Sequence, residues 1–211
     1  MAPTLLTTTA YFPPLRWFLE AGECWHWEAH ENYQKGGLRN RCDLITANKK
    51  LRLSVPLSAG KHQRTPIREV RISYRNDWWR AHEQTIRSAY GKAPFYEFYA
   101  EEVFAVARRR PPTLWELNWS LTTTLLELLQ LPTELSLTSE YVGRARSQVR
   151  GVEDELGELL PYPQVFTDRH GFVDDLSILD GLFCLGPELV TRQYNFRRTG
   201  PKMDRDGLSG T

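Results

Sequence analysis

The sequence predicts an α+β fold, a mainly antiparallel N-terminal sheet packed against a C-terminal group of helices. Two observations predict it. Short β-branched or alternating runs concentrate in the first third of the 211 residues, whereas apolar residues recur at helical spacing through the remainder. The two kinds of element are therefore segregated and do not alternate as βαβ units. Neither a GxGxxG pattern nor a P-loop occurs, and no repeat is visible. One domain is expected over residues 1–196. Residues 197–211 are expected to be a disordered tail, because from about Arg197 the chain offers Gly, Arg, Asp and Ser without apolar partners.

Leu5 to Thr9 is short and β-branched, as in a buried strand. Pro13-Pro14 stops pairing and opens a helix over Leu15 to Ala21, closed by Gly22. Cys24 to Glu28 is a second strand, and the polar, glycine-bearing segment His30 to Gly37 is a loop. Arg39 to Thr46 is a third strand. It turns at Ala47-Asn48-Lys49-Lys50 into Leu51 to Leu57, where Leu51, Leu53 and Val55 alternate with Arg52 and Ser54 as a hairpin partner. Ile67, Val70 and Ile72 mark a further strand. The period then changes: Trp78, His82, Ile86 and Tyr90 fall on one helical face, with Gly91 as a stop. A helix follows from Pro94 to about Arg109, broken by Pro111-Pro112. Thr113 and Glu116 form a capping box for an apolar helix over Leu114 to Gln130. Leu135 to Thr138 reads as a strand, Val142 to Glu158 as a weak helix or long loop, and Tyr162 to Phe166 as an extended stretch. Leu176 to Leu185 is a last amphipathic helix, ended by Gly186-Pro187.

Composition excludes several function classes. The net charge of +1 lacks the basic excess of a nucleic-acid binder, and the run Arg108-Arg109-Arg110 is balanced by nearby acids. No stretch of about 18 apolar residues is present, so no membrane span is expected, nor does the opening Met1-Ala2-Pro3 have the basic region of a signal peptide. Cys24, Cys42 and Cys184 are widely spaced without a CxxC pair, which argues against a structural metal site and for reduced thiols in a cytoplasm. Aromatics make up 12% of the chain, including seven Trp, which points to an aromatic core before a ring-lined cleft.

Four segments carry a resemblance. The first is Thr9-Ala10-Tyr11-Phe12-Pro13-Pro14-Leu15-Arg16-Trp17-Phe18. The second runs from His30-Glu31-Asn32-Tyr33-Gln34-Lys35 through Arg39-Asn40-Arg41-Cys42 to Leu53-Ser54-Val55-Pro56. The third is Trp79-Arg80-Ala81-His82 with Ser88-Ala89-Tyr90-Gly91-Lys92-Ala93-Pro94-Phe95. The fourth is Tyr162-Pro163-Gln164-Val165-Phe166 with Arg169-His170-Gly171-Phe172 and Leu176-Ser177-Ile178-Leu179-Asp180. In order and spacing the chain resembles the WbqC-like protein family over roughly residues 5 to 190, and its Bacteroidetes-type branch in particular. The resemblance implies a role in surface-polysaccharide or natural-product biosynthesis. The namesake is described as a glycine transferase that modifies an amino sugar in O-antigen synthesis. This chain departs from the commoner branch, which has a pair of Asp where His30-Glu31 stands here.

Several residues are chemical candidates, each with a plainer reading beside it. His30 is placed to take a proton from an amine, and Glu31 to orient a cation, or else the pair caps a turn. Lys35, Arg39 and Arg41 cluster, and strand alternation would put both Arg on one face suited to a pyrophosphate or carboxylate. The plainer reading is an exposed face paired with Glu28 or Asp43. His82 lies on an aromatic face with Tyr90, either as a general base in a shared cleft or as a satisfied core histidine. Cys42 reads as a buried structural thiol, and His170 as part of a hydrogen-bonded turn. Tyr162 and Gln164 alternate and are placed to line a cleft. Asp180, on an apolar helix, needs a partner, for which an Arg of the basic cluster is the candidate.

Two functions fit. The first is an acyl or aminoacyl (glycine-type) transferase acting on an amino sugar or related amine. Arg39 and Arg41 would hold the donor, His82 or His30 would be the base, and Asn40 or Gln164 would donate to the oxyanion. Its donor would be a coenzyme A or carrier-protein thioester, with an acyl or peptidyl carrier protein as partner. No metal is expected. The second is a non-catalytic module that binds a sugar or nucleotide-sugar through aromatic stacking.

Overall fold

The computed structural model describes residues 4–58, 65–143, 159–189 and 191. The expected tail, and most of the expected helix or loop before Glu158, lie outside the described residues. The elements run β1 (Thr4–Thr7), α1 (Leu15–Glu20), β2 (Cys24–Trp27), β3 (Arg41–Ile45), β4 (Lys50–Ser54), a 3₁₀ turn (Ile67–Glu69), α2 (Trp78–Tyr90), α3 (Tyr96–Arg108), α4 (Leu114–Leu128), β5 (Glu134–Leu137), α5 (Thr167–His170) and α6 (Ile178–Leu185). This is an α+β chain, but its sheets correct the antiparallel expectation. β1, β2 and β5 form a three-stranded sheet in which every pairing is parallel, with Leu5 opposite Trp25 and Trp25 opposite Leu135. Only β3 and β4 pair antiparallel, as the hairpin expected. The period of side chains along a strand is the same in either sense, so periodicity alone cannot reveal that α1 is a crossover between parallel neighbours.

The sheet and helices meet through tryptophan. Trp25 and Trp27 project from the same face of β2, because alternate residues share a face, and both are fully buried. Trp25 packs edge-on against Trp17 and Phe18 of α1, with ring centroids 6.3 and 5.2 Å away. Trp27 meets Trp115 and Trp119 of α4, each at 5.6 Å and near-perpendicular. Six of the seven Trp are buried, so the high aromatic content belongs mainly to the core. Each such side chain contributes on the order of 1.5–3 kcal/mol of burial free energy.

The helices start where their sequences say they should. Asp77 caps α2 by accepting from the Arg80 N–H, and Thr113 caps α4 by accepting from the Glu116 N–H. The stretch Ile67 to Ile72 is a 3₁₀ turn followed by isolated bridges and not the expected strand, because Pro66 and the single-residue pairings Leu57–Ile72 and Arg71–Thr113 leave no ladder. Near the end of the described chain, Ser177 bridges Pro14 and donates its N–H to the Asp43 carbonyl. This joins the start of α6 to both the double-proline turn and β3. No helix among the described residues is long and apolar enough to cross a membrane.

Candidate functional site

The parallel strands deliver their carboxyl ends to one region, which is filled by a buried polar network. The Glu28 N–H bonds the Thr7 carbonyl at the end of β1. The Glu28 carboxylate accepts from the His30 N–H at 2.9 Å, the Thr138 hydroxyl at 3.1 Å and the Val142 N–H at 2.7 Å. Burial raises its pKa, but these bonds outweigh burial and leave it below the ordinary value. Glu31 and Arg39 form a bidentate ion pair, with only 4% and 2% of each residue exposed. Burial pushes the Glu31 carboxyl up and Arg39 pulls it back. Asn118, from the middle of α4, donates to the Thr9 hydroxyl at 2.9 Å and the Arg39 carbonyl at 2.8 Å. Asn40 accepts from the Tyr33 hydroxyl and donates to the Val55 carbonyl.

This network changes the expected anion site. Arg39 is not in a strand, because β3 starts only at Arg41 and Arg39 lies in the preceding turn. The two guanidiniums therefore do not share a strand face, and Arg39 is already engaged by Glu31. Arg41 is half-buried, with its Nε buried and unpaired among the described residues. Lys35 is exposed.

His82 and Tyr90 are buried apart rather than open to a shared cleft. The His82 Nδ1 lies 3.0 Å from the Tyr11 hydroxyl, and the ring also bonds the Ser54 carbonyl. A carbonyl only accepts, so the imidazole gives Ser54 its N–H and Nδ1 accepts from Tyr11. Burial pushes the His82 pKa down to about 4, with the Ser54 carbonyl opposing. His82 is thus held neutral as a satisfied core histidine. His30 is exposed, with Nε2 at 3.1 Å from the Thr138 carbonyl. His170 ends the short helix α5, and its Nε2 lies 3.0 Å from the Thr46 carbonyl.

Three expected residues do converge. The fully buried Asp180 of α6 accepts from the Tyr162 hydroxyl at 2.7 Å and from the Gln164 amide at 2.8 Å, and Tyr90 lies against it. Burial pushes the Asp180 carboxyl up, and the three neighbours pull it down. Its partners are these neutral donors and not an Arg of the basic cluster. The Gln164 side chain also closes a two-bond ring with Val173. The cluster is sealed by Phe183 and Phe172, which pack on Tyr90 and Tyr162.

An open cleft of about 540 Å³ lies beside these clusters, between the Gly36-Gly37 turn, the β3–β4 hairpin and the start of α6. Its charged lining residues are Asp43, Lys50, Arg52 and Asp175. Arg52 grips Asp43 with bonds of 2.6 and 2.7 Å, and the Lys50 ammonium lies 3.9 Å from the same carboxylate. Asp175 is held by Arg16, and Arg16 also pairs with Asp174. Two cations and two carboxylates thus rim one cleft. Its backbone is strained: Phe12 and Asp175 line it at φ of 43° and 55°, two of only four non-glycine residues with positive φ among those described. Such conformations cost about 1–3 kcal/mol each and gather at functional sites. The Cys42 thiol also lines the cleft, but burial raises its pKa well above the ordinary value, so it is a structural thiol and not a thiolate.

None of the residues expected to act lines this cleft, although the Lys35–Arg41 segment that contains four of them supplies its Gly36-Gly37-Leu38 wall. The four charged rim residues went unremarked as a group. The hairpin register, which sets Asp43 opposite Arg52, was the available signal. Among the described residues no group of three or more His, Cys, Asp or Glu is placed to hold a metal ion. A model of the WbqC-like protein family matches residues 9–160, more than two thirds of the chain. No curated protein and no solved structure matches.

Proposed function

The chain belongs to the WbqC-like protein family, and on that premise we propose that it transfers an acyl or aminoacyl (glycine-type) group from a thioester donor to an amine. The acceptor is an amino sugar or related small molecule in surface-polysaccharide or secondary-metabolite biosynthesis. The observation that carries the reading is the rim of mixed charge around the 540 Å³ cleft. Such a rim suits a ligand bearing both an amine and a phosphate or carboxylate. Lys50, whose ammonium stands 3.9 Å from Asp43, holds the anionic part, while the Arg52 fork stays on Asp43 and adds its positive charge to the rim. Asp175 holds the amine and takes its proton. The amine nitrogen attacks the thioester carbonyl, a C–N bond forms, the C–S bond breaks, and the thiol leaves with a proton. Backbone N–H groups of the Gly36-Gly37 wall would serve as donors to the oxyanion. The donor is coenzyme A-linked or carried by an acyl or peptidyl carrier protein.

A second reading, a non-catalytic sugar-binding module, is favoured by one feature: no histidine among the described residues lines the cleft, and His82 is sealed. Incubation with glycyl-coenzyme A and glucosamine 1-phosphate, followed by mass spectrometry, separates the two. An N-glycyl product supports the transferase. Saturable sugar-phosphate binding without product supports the module. No binding and no product rejects both.

A further inference from the structure

A second cavity of about 550 Å³ shares no lining residue with the first. From it we infer a binding site for a nucleoside phosphate, built by Arg68, Arg109 and Arg110 around the indoles of Trp115 and Trp119. It does not rest on the transfer reaction in the other cleft.

The wall comes from α4. Trp115 and Trp119 are four residues apart and so share a helical face. Trp27 packs edge-on beneath both, which fixes the two rings as a rigid surface. The charge comes from two loops. Arg68 lies on the 3₁₀ turn, with its guanidinium 5.7 Å from the Trp115 ring centroid. Arg109 caps α3 and Arg110 follows it, and Pro111-Pro112 bars the helix from continuing. Arg110 is held at a φ of 56°, a third of the four strained non-glycine positions. Its guanidinium sits 4.7 Å over the Tyr74 ring, and the Tyr74 hydroxyl donates to the Pro111 carbonyl at 2.8 Å. The loop is therefore built to hold Arg110 where it is.

These three arginines have no ion pair among the described residues, whereas the adjoining Arg108 is engaged by Glu83 and Glu101. Glu116 is the one carboxylate in the lining, against three guanidiniums. Unpaired guanidiniums at a concave site favour phosphate oxygens, which match their fork geometry. The partly exposed indole of Trp119 and the guanidinium faces accept a flat base by stacking, with the buried Trp115 as the floor beneath Arg68. A cavity of this volume suits a small ligand. The whole-chain charge of +1 disfavours a nucleic-acid strand.

The test is calorimetric titration of the full chain with ADP and UDP, with inorganic pyrophosphate, adenosine and a single-stranded oligonucleotide as comparisons. The expected result is saturable binding of at least one nucleotide, about tenfold or more tighter than pyrophosphate or adenosine, and weakened by salt. Arg109→Ala, at an exposed position, should weaken nucleotide binding about tenfold with the melting temperature unchanged. Trp119→Ala should lower nucleotide affinity but not pyrophosphate affinity, and Trp119→Phe should restore most of it. Nucleotide binding no tighter than pyrophosphate, indifference to Arg109→Ala, or tighter binding of the oligonucleotide than of either nucleotide overturns the proposal.

Discussion

The Nδ1 atom of His82 accepts a hydrogen bond from the Tyr11 hydroxyl at 3.0 Å, tying α2 to the turn that follows β1. The bond needs a neutral ring, and burial holds the pKa at about 4 against an ordinary 6.5. The unfolded chain therefore takes up the proton first on acidification. His82 stability is present above about pH 6.5, is lost as pH falls towards 4, and is lost no further below that. The loss is on the order of 3 kcal/mol. Melting of wild type and His82→Gln from pH 7.5 to 4 should show the shallower slope in the variant. Equal slopes would mean that His82 does not titrate in this way.

Glu31 and Arg39 are expected to behave as a buried pair whose halves cannot be removed singly. Glu31→Ala should cost about 3–5 kcal/mol because it strands the Arg39 charge, while Glu31→Leu with Arg39→Met should cost less than the sum of the single changes. Additive losses in denaturant unfolding would contradict the pairing.

At Asp180 the sign runs the other way. Its pKa is raised by burial, so the folded state favours the proton more than the unfolded chain does, and its contribution improves as pH falls. Tyr162→Phe removes a donor to a buried carboxylate and should cost about 1–3 kcal/mol near pH 7. That cost should shrink on acidification, as the carboxyl becomes neutral. A cost that is constant across pH would show that the hydroxyl does not serve the charge.

Gly186 ends α6 at a φ of 55°, and a Cβ there would lie 2.6 Å from the Phe95 ring. Both faults point to glycine alone. Gly186→Ala should lower stability by about 1–3 kcal/mol, measured by urea unfolding. An unchanged midpoint would mean that the Phe95 ring moves aside freely.

The helices were legible because their signals are local. Thr113 caps α4 as its spacing to Glu116 foretold, and Trp78 to Tyr90 is α2 to the residue. The hairpin was legible for the same reason. The parallel sheet was not, because Leu135 pairs with Trp25 across more than a hundred residues, and nothing in the alternation of either strand names its neighbour. The site suffered similarly. Arg39 and Arg41 look alike in sequence, yet a strand that starts two residues late buries one on Glu31. His82 on an aromatic face left both a base and a core histidine open, and only the positions of Tyr11 and Ser54 decide. Asp175 reaches the β3–β4 cleft from a distant segment through the Ser177 bridge, which no local pattern encodes.

The mixed-charge cleft is tested most directly by asking whether Asp175 recognises an amine. Calorimetric titration of the wild type with glucosamine 1-phosphate and with N-acetylglucosamine 1-phosphate changes only the ammonium group. Asp175→Asn is the matching variant, since Asn tolerates positive φ well. The account predicts that the free amine binds the wild type about tenfold tighter than the N-acetylated sugar, about 1.4 kcal/mol, and that Asp175→Asn abolishes the preference. Equal affinities for the two sugars in the wild type would contradict it.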